Sequence, residues 1–422
     1  MKPSFDRARD SERVRRRRVA LPHYRYVRLR WRLLFAVIDG IGWWLRGRFA
    51  AVAKHVDDGP SEPAEVRRLL LVQLDHLGDA IITLAMLPPL RRAYPQASIE
   101  VLASSRNCAL FAACREVDRV HVARVNRFAS WLPGLWLPAM LAWAWRLRGR
   151  HFDLGIDVRG EFPHALLLWL AAVRRRIGWH AGGGGFLLTE SPEFVPQRPE
   201  TESRAALLAL LGIRTESPIL PRLTARADDR LWPPRTDTKR RPRIVFHIGA
   251  GTPAKRWPAA HWRELLGRMI LSGDFQIALV GGTGDQERAA EILGDQPWPQ
   301  VIDATGKLEL SRTASLLAGA DLFIGADSGP AHLAAALGTP VVVLFSGTNH
   351  AAQWQPRSEH VTVVRHDVAC SPCHLRSCPW AEHPCMTRIT PSDVLDAALA
   401  MLRAETWRPT TTASPNLIHE AA

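Results

Sequence analysis

Cysteine is scarce in this chain: there are six in 422 residues. Four of them, Cys370, Cys373, Cys378 and Cys385, sit within one late stretch, which excludes a disulfide framework. A secretory signal, with its apolar core and small-residue cleavage site, is also missing. The expected compartment is the reducing cytosol. Long apolar runs are lacking too. The stretch Leu33 to Leu45 is interrupted by Asp39, Gly40 and Gly42, and it falls short of the about 20 residues a spanning helix needs. No nucleic-acid-binding motif occurs, so nucleic acid is not the expected partner despite the basic charge.

What is present points to two domains and an anionic partner. The length and a hydrophobic content of 47% suffice for two proper cores. The net charge of +14 suits a phosphorylated ligand or an anionic membrane surface. The 16 Trp cluster with Arg and Leu, as at membrane interfaces. Residues 1–66 look like a basic, Trp-containing extension. Arg13, Arg15 to Arg18, Arg25, Arg28, Arg30 and Arg32 precede the apolar stretch that holds Trp43 and Trp44. A basic helix lying in the headgroup region is one reading; a solvated arm is the other. Phe128 to Trp145 is a second Trp-rich segment. Pro133 and Pro138 argue against one spanning helix there, which leaves a membrane-dipping segment or a helix buried on a sheet.

From Val66 the pattern becomes strand, turn, helix, strand. Val66 to Leu74 runs into Asp75-His-Leu-Gly-Asp-Ala-Ile-Ile-Thr83, then a helix to about Tyr94 and a strand over Ile99 to Ala103. This is the start of a doubly wound parallel sheet. Gly78 allows close backbone approach, Asp79 stands at the helix N-terminus, and Asp75 is a second carboxylate nearby. Phe152 to Val158 is a further strand, and Gly182 to Gly185 reads as a mobile loop. The polar, Pro-punctuated stretch from Pro221 to Arg243 reads as a linker. The expected division is a first domain over 67–222, a linker over 223–243, a second domain over 244–405 and a tail over 406–422.

The second domain repeats one device three times. Strands over Arg243 to Ile248, Phe275 to Val280 and Asp321 to Ala326 each end in a glycine-containing turn before a helix. Such repetition marks a nucleotide-binding sheet. The third turn is Asp327-Ser-Gly-Pro-Ala-His332, with turn and N-cap residues, Pro330 in the first helical turn and Gly338 as C-cap. A helix N-terminus at the carboxyl end of a buried strand is an anion site, here for a diphosphate beside Asp327 and His332. Cys370 and Cys373 have metal-ligand spacing, so Cys370, Cys373, Cys378 and Cys385 are candidate ligands of a structural zinc; reduced cysteines packed in a loop are the alternative.

Four of these stretches together resemble the ADP-heptose:lipopolysaccharide heptosyltransferases, glycosyltransferase family 9. They are Leu74 to Thr83, His247-Ile-Gly-Ala-Gly-Thr-Pro-Ala-Lys-Arg-Trp257, Gly325 to Ala335 and Cys385 to Val394. Their order and spacing fit over roughly 67–405, with the leader outside. Ala85 stands where the family often has proline, and Ser328 where it often has threonine. The resemblance implies an α/β GT-B fold: two Rossmann-like, doubly wound domains facing a cleft. It implies an inverting glycosyltransferase that moves a heptose or related sugar from an ADP-activated donor to a lipopolysaccharide core or similar glycolipid. It implies no cofactor for catalysis, and a cytoplasmic enzyme peripheral on the inner membrane.

The resemblance also distributes roles. Asp79 matches the catalytic aspartate, the general base on the acceptor hydroxyl; helix capping is its other reading. Lys255 matches the lysine that offsets donor phosphate charge. The amides of Ser328, Gly329 and Ala331 would hold the diphosphate, with Pro330 unable to donate. Asp327 would accept from sugar hydroxyls, and His332 would bond phosphate or brace the turn. Gly249, Thr252 and Thr348 are further donor-side candidates, and Thr83 and Asp75 acceptor-side ones. The competing readings are a GT-B enzyme using another nucleotide-sugar, by transfer or epimerisation, and a membrane-associated assembly protein that has lost its chemistry.

Overall fold

A computed structural model describes residues 29–48, 65–123, 133–215, 218–234, 241–272 and 275–404. The arginine run from Arg13 to Arg28, the start of the second Trp-rich segment at Phe128 and the tail from 406 lie outside the described residues.

The first domain comprises α1 (Leu29–Arg48), β1 (Arg68–Gln73), α2 (Leu77–Leu84), α3 (Leu87–Ala93), β2 (Ser98–Ser104), α4 (Cys108–Ala112), β3 (Arg119–Ala123), α5 (Pro133–Arg148), β4 (Leu154–Asp157), α6 (Phe162–Leu170), β5 (Arg175–Ile177) and α7 (Glu200–Leu210). Its parallel sheet has the order β3-β2-β1-β4-β5. The second domain comprises β6 (Arg243–His247), α8 (Ala259–Ser272), β7 (Gln276–Val280), α9 (Gln286–Leu293), β8 (Val301–Asp303), α10 (Leu310–Ala318), β9 (Leu322–Ala326), α11 (Gly329–Ala336), β10 (Val341–Phe345), α12 (Ala351–Trp354), β11 (Val361–Arg365), α13 (Pro384–Thr387) and α14 (Pro391–Arg403). Its sheet, also parallel, runs β11-β10-β9-β6-β7-β8.

The strands are continuous apolar runs because both of their faces are covered. In β1, Leu69 and Leu71 enter one buried cluster while Leu70 and Val72 enter another. In β10, Val341, Val343 and Phe345 likewise face away from Val342 and Leu344. β1 and β6 are central strands flanked on both sides. Ligands of such sheets bind beyond the carboxyl ends of the strands, and those ends carry α2 after β1 and α11 after β9.

One apolar cluster passes from the first domain into the second. The stretch expected to be a linker supplies part of it: Leu223, Leu231 and Trp232 are buried there. The Leu223 N–H donates to Ala336 O at 2.9 Å, and Gln276 Nε2 donates to Pro233 O at 2.7 Å. The polar and proline residues around these three apolar ones conceal their packing from a composition-based reading.

Of the two readings of the second Trp-rich segment, it forms a helix packed on the sheet: α5 buries Met140, Ala144 and Leu147 against Leu70 and Val72 of β1, and Pro138 lies in its second turn, where the missing donor removes a bond near the helix start rather than mid-span. Two local expectations change. The helix after β1 is broken at Ala85 and Met86 into α2 and α3. Gly182 to Gly185, expected to be mobile, are buried and hold α1.

Candidate active site

The N-termini of α2 and α11 face each other across the interdomain cleft. Glycine makes the approach feasible at both. A Cβ on Gly329 would lie 2.9 Å from Leu77 Cβ, and one on Gly78 would lie 3.0 Å from His332 Cδ2.

On the first-domain side, Asp79 is buried in the first turn of α2. Its Oδ1 lies 3.3 Å from Arg159 Nη1. The same guanidinium reaches Asp75 Oδ1 at 3.5 Å and Glu161 Oε1 at 3.3 Å through Nε. Burial works against the Arg159 charge, but Asp75, Asp79 and Glu161 outweigh it and hold the group firmly protonated. Arg159 follows β4, next to β1 in the sheet. Two residues before it, at the end of β4, Asp157 Oδ1 sits 3.1 Å from His164 Nδ1. Burial pushes the His164 imidazole down, yet the Asp157 charge and hydrogen bond, with Glu161 and Asp75, raise it to about 9. The second Asp75 oxygen, Oδ2, is buried with no hydrogen-bond partner. Thr83 is fully buried; its hydroxyl donates to Asp79 O at 2.8 Å and accepts from Arg204 Nε at 3.3 Å. It supports the helix from within and does not face the cleft.

On the second-domain side, Lys255 Nζ lies 2.5 Å from Asp327 Oδ2 and 3.3 Å from Asp327 O. These two candidates thus form one pair. Asn349, oriented with its oxygen inward, accepts from the same amine at 3.1 Å. Lys255 closes a single helical turn that begins after Thr252, whose carbonyl takes the Lys255 N–H and whose hydroxyl is buried without a partner. Gly249 leaves room for Asp285: a Cβ there would lie 2.3 Å from Asp285 Oδ2. Asp285 in turn accepts from the Gly282 N–H.

Ser328 occupies the N-cap position of α11, but its side chain caps nothing. Its hydroxyl lies 3.1 Å from Ala326 O and 3.3 Å from His247 Nδ1. The Ala331 N–H is taken by Ser328 O at 3.1 Å, so it is committed within the turn and the expected anion cradle shrinks. Among the described residues no hydrogen bond uses the Ser328 or Gly329 N–H. His332 is buried, and burial holds its pKa below the ordinary value, aided by Lys255 and opposed by Asp327 and Asp79. It is therefore neutral at pH 7. His247 is also buried, which pushes its imidazole down to about 4.

Beside this cluster lies a cavity of about 230 Å³ lined by Leu77, His247, Gly281, Gly282, Ala304, Leu308, Leu310, Thr313 and Pro330. It opens at the carboxyl ends of β6 and β7. Its size and its mix of apolar walls with backbone amides suit a nucleoside.

The hydroxyl of Thr348 bonds Ser346 Oγ at 2.8 Å. It lines a second, about 40 Å³ pocket with Cys370, Cys373, Cys378, Cys385 and Trp380. Among the described residues, no group of three or more His, Cys, Asp or Glu is placed to hold a metal. Cys385 is buried at the start of α13 while Cys370 is exposed. Burial pushes the Cys385 thiol up, with a smaller contribution from the other three.

Sequence reasoning missed Arg159, although Asp157-Val-Arg-Gly160 has the same design as the Asp79 turn: a strand end, a polar group and a glycine (φ 74°). His247 lay inside a quoted motif but received no role.

Two facing parallel α/β domains with the cleft at their strand ends make the GT-B fold. The profile of Glycosyltransferase family 9 (heptosyltransferase) matches residues 140–383, and the chain belongs to that family. It is 26% identical over 362 residues to lipopolysaccharide heptosyltransferase 2 of Escherichia coli K12, covering 80% of this chain and 99% of the relative. It is 28% identical over 367 residues to lipopolysaccharide heptosyltransferase 1 of Pseudomonas aeruginosa, covering 81% and 100%. The solved Escherichia coli ADP-heptose lipopolysaccharide heptosyltransferase II superimposes with a TM-score of 0.63 at 24% identity, over 79% of this chain and 98% of that one.

Proposed function

We propose that the protein transfers a heptose from ADP-heptose to a lipopolysaccharide core acceptor with inversion at the sugar carbon. One observation carries the reading: a buried carboxylate, Asp79, faces the Lys255–Asp327 pair and the open Ser328 and Gly329 amides across a glycine-lined cleft. The kinship to lipopolysaccharide heptosyltransferases supports the sugar and the acceptor class.

In this reading the adenosine occupies the cavity below His247, and the diphosphate lies along the N-terminus of α11. Asp79 takes the proton from the acceptor hydroxyl as that oxygen attacks the anomeric carbon. The bond from that carbon to the diphosphate oxygen breaks, and the electron pair leaves with ADP. Lys255, the Ser328 and Gly329 N–H groups and the helix dipole stabilise the departing charge. Asp327 orients Lys255, and Arg159 orients Asp79. His332, neutral between the two sides, donates or accepts one hydrogen bond without adding charge. Because the acceptor is lipid-borne, the enzyme works peripherally at the cytoplasmic side of the inner membrane.

A donor screen tests this. Purified protein should turn over ADP-heptose and leave UDP- and GDP-sugars untouched; faster turnover of a UDP- or GDP-sugar would overturn the donor assignment.

A further inference from the structure

Helix α1 has its polarity inside out. Its inward positions are Phe35, Asp39, Gly42 and Arg46, spaced along one helical face. The Asp39 carboxylate accepts the Gly184 N–H at 2.7 Å. Arg46 Nη1 donates to Phe186 O at 2.8 Å and Leu188 O at 2.7 Å. Gly42 admits the Phe186 ring, since a Cβ there would lie 2.4 Å from it. The Phe35 ring packs on Phe162, with centroids 5.9 Å apart. The outward face is Leu33, Val37, Ile41 and Trp44, with Val37 61%, Ile41 56% and Trp44 59% exposed. A helix docked on a soluble domain turns its apolar stripe inward and its charges to water. Here the one acidic residue of the helix, Asp39, points into the protein instead.

A neighbouring helix repeats the pattern. α1 rests on the first turn of α6, and α6 packs on α5. Along α5, Leu137, Leu141 and Trp145 form an exposed ridge at four-residue steps, with Trp145 80% exposed, while Met140, Ala144 and Leu147 are buried. Neither α5 nor α6 contains an acid. Arg32, Arg146 and Arg148 are exposed beside these ridges. No described helix is long and apolar enough to cross a membrane.

We propose that the outward face of α1, with the Leu137–Trp145 ridge of α5, seats in the headgroup region of an anionic bilayer. The apolar ridges enter the interface, and the arginines meet lipid phosphates. A second copy of this chain is a poorer occupant, because both faces would bring arginines and no acid. Buried Asp39 and half-buried Arg46 hold the helix flat on the loop from Gly184 to Leu188, so the apolar face is displayed before any membrane is met. This deepens the glycolipid reading above and rests on it for its meaning. Vesicle binding needs neither donor nor turnover, so its failure is distinct from failure of that reading.

The test is sedimentation of the full-length protein with vesicles. The wild type should bind phosphatidylethanolamine–phosphatidylglycerol vesicles, bind phosphatidylcholine vesicles weakly, and release as salt is raised. The double variant Val37→Glu/Ile41→Glu should partition about tenfold less while melting at the wild-type temperature, because both side chains are more than half exposed. Trp145→Glu, on a different helix, should weaken binding too, which guards against misfolding of the first variant. Wild type that ignores anionic vesicles, or variants that bind as wild type does, would overturn the proposal. So would a wild-type dimer in solution that the double variant dissociates.

Discussion

Replacing Arg159 by methionine keeps most of the stem and removes the charge and its planar fork. Three carboxylates then lose their common partner: Asp79 at 3.3 Å, Glu161 at 3.3 Å and Asp75 at 3.5 Å. At such distances and an effective dielectric near 20, one unit pair attracts by about 5 kcal/mol before desolvation is subtracted. Stranding the partner of a buried ion pair costs about 3–5 kcal/mol. The Arg159 side chain is 22% exposed, so solvent reclaims part of this, and a loss of about 2–3 kcal/mol in unfolding free energy is expected. Catalysis should fall further than stability alone implies. With no cation to orient it, Asp79 can swing away from the acceptor hydroxyl, and a misplacement of about 1 Å costs on the order of 100-fold in kcat. The assay pairs urea unfolding with kcat at saturating donor and acceptor. Arg159→Lys should recover part of kcat, because it restores one point charge but not the fork. A methionine variant that loses stability yet keeps wild-type kcat would refute the positioning role and leave Arg159 a structural clip.

Lys255→Ala should weaken ADP-heptose binding by about 10- to 100-fold, the scale of one charge-assisted contact to a phosphate; an unchanged donor dissociation constant in calorimetry would count against its role. Gly78→Val should press on His332, whose Cδ2 lies 3.0 Å from where a Cβ on that glycine would sit, and hold the domains apart, lowering kcat while donor binding survives; a wild-type kcat would show that the approach of α2 to α11 is not needed. The His164–Asp157 pair predicts a pH signature. Because the His164 pKa is raised to about 9 in the fold, its stabilisation is complete below about pH 6.5, the unfolded value. It is lost as pH rises through about 9. Wild type should thus exceed His164→Gln in melting temperature at pH 6, with the gap closing by about pH 10; a gap constant across that range would contradict the assignment.

Much of the architecture was legible because its signals are local. Strand ends followed by Gly-Asp, Gly-Ala-Gly, Gly-Gly and Asp-Ser-Gly turns mark the sheet's carboxyl edge residue by residue, and Pro330 and Gly338 bracket α11. What was illegible depends on long-range pairing. Nothing near Lys255 announces that Asp327, 72 positions later, binds it. Arg159 acquires its role only because β4 lies beside β1. The committed Ala331 N–H is a matter of turn geometry that residue type does not encode. The glycine run looked mobile because glycine favours freedom in isolation, but α1, distant in sequence, covers it. The spacing between Cys370 and Cys373 invites a metal, and whether the other two cysteines join them depends on loop geometry that spacing does not encode.

In the proposed mechanism Asp79 is the base, facing a donor held by the other domain. Asp79→Asn preserves shape and the possibility of hydrogen bonding while removing the proton acceptor. The measurement is single-turnover heptosyl transfer together with the ADP-heptose dissociation constant on the same preparation. Transfer should fall at least about 1,000-fold, with a donor dissociation constant within about threefold of wild type. Transfer at the wild-type rate by the asparagine variant would contradict it.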